Sequence, residues 1–347
     1  MKYIIPLITA IILTFSSCKH DDLELYQENK NYRAAADFIR NNYDLTLFYA
    51  ALERAGMMAE LSGSGPFTIL APSNQAFNDL GFLKAEDFQK VSPETLKLML
   101  GIHIIPRKVS SAEVQDNSID VRFTALSGVR LYVTLAGNVG KENHLYFNGS
   151  EAIEKDVVLS NGVLHVLDKV IKYTPGTVQD ILNQHPEYST FVSVLKRYGL
   201  WEQLASEGPW TVFAVPNKVF EENGLDEAGL ARIKPDQYII PRLFGIYLMA
   251  KQHYFLSDIA SFKYLTGESG VSAPIPDDFY LMSILWESMW VGDKLVSVFK
   301  IGSRESRIHY PKHEVISARK ALQDFKADNG IVHDLQGMIV TPEEAKK

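Results

Sequence analysis

The chain has 347 residues, with 35 Lys and Arg against 42 Asp and Glu, for a formal charge of −7. Hydrophobic residues make up 46% and charged ones 22%, the balance of a chain that buries a core, which excludes disorder and collagen-like repetition. The acidic surplus argues against nucleic acid as a partner, and one cysteine excludes an internal disulfide and a thiolate zinc cluster.

Residues 1–17 place Lys2 ahead of a mainly apolar stretch that reaches Phe15 and ends in Ser16-Ser17. That stretch is too short, and too soon followed by charge, for a membrane span of ~20 residues, so it reads as a secretory signal. Ser16-Ser17-Cys18 resembles the bacterial lipobox, whose cysteine carries lipid and becomes the mature N-terminus, although Phe15 stands where that pattern prefers Leu. Lys19-His20-Asp21-Asp22 resembles the surface-export signal of lipoproteins in the Bacteroidota. The expectation is an outer membrane lipoprotein exposed at the cell surface, anchored to the membrane through Cys18, with residues 18–33 as a polar tether.

In residues 34–61, Phe38, Leu45, Phe48, Leu52 and Met58 recur at helical spacing, and Gly56 is placed to end the main helix with a left-handed cap. Gly65-Pro66 punctuates the chain, and Phe67-Thr68-Ile69-Leu70-Ala71 reads as a buried strand that should stop at Pro72, which has no N–H for a ladder. Ser73 or Asn74 can then cap a short helix carrying Ala76 and Phe77. Further on, the turn signal Asn161-Gly162 leads into Val163-Leu164-His165-Val166-Leu167, a run that suits a strand covered on both faces. A histidine inside such a run is expected to be a hydrogen-bonded core residue. Asp168 and Asp334 flank the two copies of this strand at non-equivalent places, so no shared carboxylate–imidazole pair is expected beside it.

Those two copies come from an internal repeat. A shift of 143 residues lays 48–77 on 191–220 without a gap and gives 11 identities in 30. Average residue usage predicts roughly two by chance, so the match is a duplication. A shift of 168 lays 161–165 on 329–333, so the second copy carries 168 − 143 = 25 extra residues between its blocks. A period this long exceeds that of solenoid repeats and means two tandem domains.

The stretches 65–77 and 161–171 resemble the two signature boxes of fasciclin-like domains, and 208–220 with 329–335 resemble them again. The residues that carry the likeness are Pro66, Thr68, Asn74, Asn161, Gly162 and His165, then Pro209, Thr211, Asn217, Asn329, Gly330 and His333. The resemblance implies an α+β fold of two tandem domains, over 34–173 and 177–341, each a wedge of two short β-sheets packed with helices. It also implies a non-enzymatic adhesion or interaction protein with a protein or matrix partner and no cofactor. In animal members a Tyr-His pair between the boxes is linked to integrin binding. In this chain His103 holds the histidine place behind Ile102, and Tyr247 holds it in the second copy, so His103 is expected to be structural.

No Gly-x-Ser-x-Gly elbow, His-Glu-x-x-His motif, phosphate loop or dinucleotide fingerprint appears, so no catalytic residue and no metal site is assigned. The extra length of the second copy falls near 267–313 and carries Phe279, Tyr280, Trp286 and Trp290, candidate binding residues if they stay exposed. Exposed aromatics there would also suit a glycan, so the alternative is a glycan-binding accessory lipoprotein of an outer-membrane polysaccharide-uptake system.

Overall fold

The computed structural model describes residues 32–137, 143–267, 270–274, 281–291, 294–304, 313–316 and 323–347. The signal-like 1–17, Cys18, Phe279 and Tyr280 lie outside the described residues. Residues 33–347 form one unit. It is mixed α+β, with short helices ahead of, between and beside the sheets.

Helices Ala35–Arg40, Thr46–Arg54 and Met58–Leu61 open the first half. Gly56 takes φ 71°, its N–H donates to Glu53 O at 3.0 Å, and Met57 N–H donates to Leu52 O at 2.9 Å. These paired bonds satisfy the carbonyls that a helix end leaves over. Gly199, at φ 71°, ends helix Ser189–Arg197 in the same way, with Leu200 N–H on Leu195 O at 2.8 Å.

Eight strands follow in the first half: β1 Phe67–Pro72, β2 Ile104–Ile105, β3 Ser118–Thr124, β4 Arg130–Ala136, β5 His144–Phe147, β6 Ser150–Leu159, β7 Gly162–Leu167 and β8 Lys172–Tyr173. The first seven pair in the order β2-β1-β7-β6-β5-β4-β3, with β1 and β7 parallel. Two sheets share β6: Ser150 and Glu151 pair with β5, while Ala152 to Leu159 pair with β7 through two register shifts. Both central strands are covered on each face. Ile69, Ala71, Leu164 and Val166 pack with Phe48 and Phe77 of the helices, whereas Leu70 and Leu167 pack with Leu131, Val133 and Phe147 of the second sheet.

The second half contains β9 Trp210–Ala214, β10 Leu248–Ala250, β11 Gly270–Pro274, β12 Leu281–Val291, β13 Lys294–Arg304, β14 His313–Ile316, β15 Phe325–Ala327 and β16 Gly330–Asp334. One sheet runs β10-β9-β16-β15-β8 and the other β11-β12-β13-β14. The segment near 267–313 is therefore the counterpart of the β3–β6 meander, drawn out into two 11-residue strands where β4 and β5 have 7 and 4. The outer strand of the first sheet belongs to the first half of the chain. β8 runs parallel to β15, with Lys172 opposite Phe325 and Tyr173 opposite Lys326.

The signature residues tie these pieces together, and they do so twice. Asn161 Oδ1 accepts Ala35 N–H at 2.9 Å, and its Nδ2 donates to Leu61 O at 2.9 Å and Gly63 O at 2.7 Å. Asn329 accepts Val178 N–H at 2.8 Å and donates to Leu204 O at 2.8 Å and Ser206 O at 2.7 Å. Gly65 and Gly208 sit at φ 68° and 76°, each followed by a cis proline, Pro66 or Pro209. A Cβ on either would lie 2.2 Å from the carbonyl oxygen of Asn161 or Asn329, so no side chain fits. Gly162 and Gly330 lie as close to the chain opposite, where a Cβ would stand 2.0 Å from Phe67 O or 2.5 Å from Trp210 O.

Three histidines face inward: His103, His165 and His333 are each 0% exposed. His165 Nε2 donates to Val109 O at 2.9 Å, and its Nδ1 accepts Asp156 N–H at 3.3 Å. His333 repeats this with Tyr254 O at 2.8 Å and Asp324 N–H at 3.1 Å. In His103, Nδ1 donates to Met99 O and Nε2 accepts Ile171 N–H, both at 3.0 Å. Each ring thus needs its neutral form to act as donor and acceptor at once. Burial holds all three below the usual imidazole value, His103 at about 4.

Asn161→Ala removes partners from three backbone groups and should cost at least about 3 kcal/mol in urea unfolding; a loss below about 1 kcal/mol would discount the junction. The neutral histidines stabilise the fold fully above the unfolded value near 6.5, and that contribution is lost as the pH falls towards their folded values. For His103, the interval from 6.5 to about 4 corresponds to on the order of 3 kcal/mol. Urea midpoints should therefore fall between pH 7 and pH 4.5, less steeply in His103→Gln, and equal slopes in the two proteins would refute this account.

Candidate functional site

The signature boxes spend their polar side chains on the fold. Thr68 Oγ1 donates to Arg107 O at 2.6 Å and accepts Val109 N–H at 2.8 Å, and Thr211 does the same with Gln252 O at 3.1 Å and Tyr254 N–H at 3.0 Å. Asn74 joins its helix to the start of helix Thr46–Arg54, accepting Leu47 N–H at 2.9 Å and donating to Tyr43 O at 2.8 Å. Asn217 accepts Thr190 N–H at 2.8 Å and donates to Pro186 O at 3.1 Å. The caps differ: Ser73 Oγ accepts Ala76 N–H at 3.2 Å, whereas Pro216 supplies no side-chain bond to its helix.

A repeated aspartate accompanies the box histidines, and the ring nitrogens meet its backbone amide rather than its carboxylate. It comes from across the hairpin, nine residues upstream, as Asp156 and Asp324, which match under the 168-residue shift and share φ 59°. Their backbone amides bond the histidines, while their carboxylates cap segments earlier in the chain, Asp156 at Ser111 N–H (2.8 Å) and Asp324 at Leu256 N–H (3.1 Å). Asp168 and Asp334 serve elsewhere, accepting Glu151 N–H at 2.7 Å and the Tyr188 hydroxyl at 2.9 Å. This arrangement holds loops and strands in register.

His103 lies on no surface. Its Nε2 takes the amide of Ile171, and in the second half the Tyr247 oxygen takes the amide of Ile339 at 3.0 Å. Ile171 and Ile339 match under the same shift of 168, so His103 and Tyr247 are two solutions to one internal bond. Tyr247 is fully buried, and desolvation raises its hydroxyl well above the usual phenol range. A partner could not reach either residue without opening the core.

Of the aromatic candidates, Trp286 and Trp290 lie on β12, with Cα positions opposite Phe299 and Leu295 of β13. The neighbouring strands stop short: β11 pairs along β12 only as far as Leu285, and β14 pairs along β13 only as far back as Lys300. Among the described residues the ribbon 286–299 thus has two strands and no third beside it, and at ~3.3 Å per residue its six paired positions extend on the order of 20 Å. Its base merges with the second core through Met282, Ile284 and Ile301.

Sequence reasoning missed several exposed apolar side chains, because isolated exposure has no pattern to read: Tyr43 is 91% exposed, Leu83 70% and Ile153 58%. A shallow depression of about 230 Å³ lies between Ala50, Glu53, Arg54, Ala85, Glu86 and Gln89. Among the described residues no group of three or more His, Cys, Asp or Glu could hold a metal ion, and no helix is long and apolar enough to cross a membrane.

Comparison with known proteins adds to this geometry. The family described as "Fasciclin domain" matches residues 43–173. Protein sll1483 of Synechocystis is 33% identical over 133 residues, which are 38% of this chain and 68% of that protein. The transforming growth factor-beta-induced protein ig-h3 of Sus scrofa is 27% identical over 300 residues, covering 86% of this chain and 36% of its own length. Human periostin is 28% identical over 193 residues, 54% of this chain and 22% of periostin. The matches to these two animal proteins therefore span about a third and a fifth of their lengths. With its boxes built twice from the same hydrogen bonds and a relative matched over two thirds of its length, this chain belongs to the fasciclin domain family.

Proposed function

We propose that the chain is a non-enzymatic, lipid-anchored cell-surface adhesion or interaction protein that binds a protein or matrix partner. The observation that carries this reading is the family membership, whose implied role is adhesion. The buried state of Thr68, Asn161 and His165 and of their counterparts Thr211, Asn329 and His333 supports it as well, since they act as scaffold and leave recognition to surface loops and strands. Cys18 is the proposed attachment point and residues 18–33 the tether, and the two domains are assigned to 34–173 and 177–341. Trp286 and Trp290 on the long ribbon are the proposed contact residues, because large aromatics carry binding energy out of proportion to their number.

A second reading, a glycan-binding accessory lipoprotein, is favoured by the same ribbon. Trp286 and Trp290 are four residues apart on one strand, on the order of 13 Å, a spacing that could serve separate sugar units along a chain.

A pull-down from outer membranes, run beside a glycan array, separates the two. Capture of a protein partner supports adhesion, and sugar binding with no protein partner would sink it. Trp286→Ala with Trp290→Ala should weaken whichever interaction is found by about tenfold or more, and unchanged binding by the folded double variant removes the ribbon from the site. Cys18→Ala should leave the membrane fraction; if it stays there, the anchor assignment fails.

A further inference from the structure

The contact between the two halves of the chain is rich in charge. Lys169 Nζ meets Asp324 Oδ2 at 2.5 Å, and both side chains are nearly buried. Arg122 Nη2 on β3 holds Asp120 Oδ2 at 3.0 Å, and His253 Nε2, arriving from the second half, stands 3.3 Å from the other oxygen of Asp120. The His253 ring meets Tyr132 of β4 edge-on at 4.5 Å. Lys326 of β15 lies 5.2 Å from the Tyr132 ring centre and is attracted by Asp328 and Asp120.

Within this seam one carboxyl has no cation among the described residues. Asp258, on helix Leu256–Thr266, is 3% exposed. Its Oδ1 accepts the Thr134 hydroxyl of β4 at 2.8 Å, and its Oδ2 accepts Phe255 N–H at 3.0 Å. The charged groups that bear on it are Asp324 and Asp120, both repulsive. Lys169 and Arg122 are already engaged with those two carboxylates. Nearby on the same helix, Ser257 Oγ and Ser261 Oγ are buried without a hydrogen-bond partner, as is Ser118 Oγ of β3.

We propose that this seam is a proton-operated joint, in which proton uptake by the Asp258 carboxyl balances the buried charge and closes the halves on each other, and proton loss loosens them. Ionised, Asp258 adds a third carboxylate beside Asp324 and Asp120, whose partners Lys169 and Arg122 are already engaged. Protonated, it becomes neutral and gains an O–H donor in a region where buried hydroxyl oxygens want one. Burial and the two neighbouring carboxylates push Asp258 up from 3.8 to about 7. Its contribution to closure is therefore complete at low pH and is lost as the pH rises towards 7. Lys326, depressed to about 8, and His253, also depressed, respond in the opposite sense, since burial favours their neutral forms.

Amide hydrogen exchange of the full chain over 130–136 and 256–266, corrected for intrinsic rates, reads the joint directly. The responses of Lys326 and His253 are common to wild type and Asp258→Asn, so the ratio of protection between the two proteins isolates Asp258. From pH 5.5 to pH 8.5 that ratio should fall about thirtyfold. A ratio that does not change with pH overturns the joint. Should Asp258→Asn fail to fold, the carbon-13 carboxyl titration of Asp258 in the wild type decides: a midpoint near 7 supports the joint and one near 4 overturns it.

Discussion

Everything in this structure hangs on a side-chain amide that must meet three backbone groups at once. Asn161 gathers the start of the first helix, the end of the third and the loop before β1 at the point where β6 turns into β7. An amide has one acceptor and two donors, and all three are used, so each of the three segments is fixed relative to the others. With no disulfide available, such directional bonds supply what apolar packing alone lacks, a unique arrangement of chain segments that are far apart in sequence. Asn329 does the same for the second half, which is why the duplication has kept its architecture while its surface segments diverged.

The two halves show what can change around such a junction. The amide of Ile171 is satisfied by an imidazole nitrogen and that of Ile339 by a phenol oxygen, so the requirement is for a buried acceptor and the residue type is open. The meander is equally open. Its two middle strands have 11 residues each in the second half against 7 and 4 in the first, without disturbing β9 or β16. Freedom at the edge and constraint at the centre let the ribbon and the loops differ between the halves while the boxes stay the same.

Much of this could be read from the chain. Gly65-Pro66 and Asn161-Gly162 announced their turns, because a glycine at positive φ and a close backbone approach restrict residue choice locally. The apolar run 163–167 announced a strand covered on both faces. The three bonds of Asn161 were illegible, since they span 98 to 126 residues and no local rule fixes such partners. Asp156 and Asp324 were overlooked for a different reason. Attention to the residues beside the histidine passed over a partner across the hairpin, although the 168-residue shift already aligned the two aspartates. The seam between the halves left no trace at all in the spacing of residues, because its members come from β3, β4, the segment after β7, and the second half together.

The strand Lys172–Tyr173 changes what a module is in this molecule. By sequence it closes the first copy, yet it supplies the outermost strand of the second copy's sheet. The family match, which ends at Tyr173, and the sheet that this strand joins are therefore out of step by one strand. Copies joined this way are not interchangeable beads: lifting the second out at the repeat boundary leaves its sheet with a bare edge, and reversing the order gives the borrowed strand to nobody. Heredity copied a segment of chain, and folding then left the second half's sheet incomplete without a strand from the first.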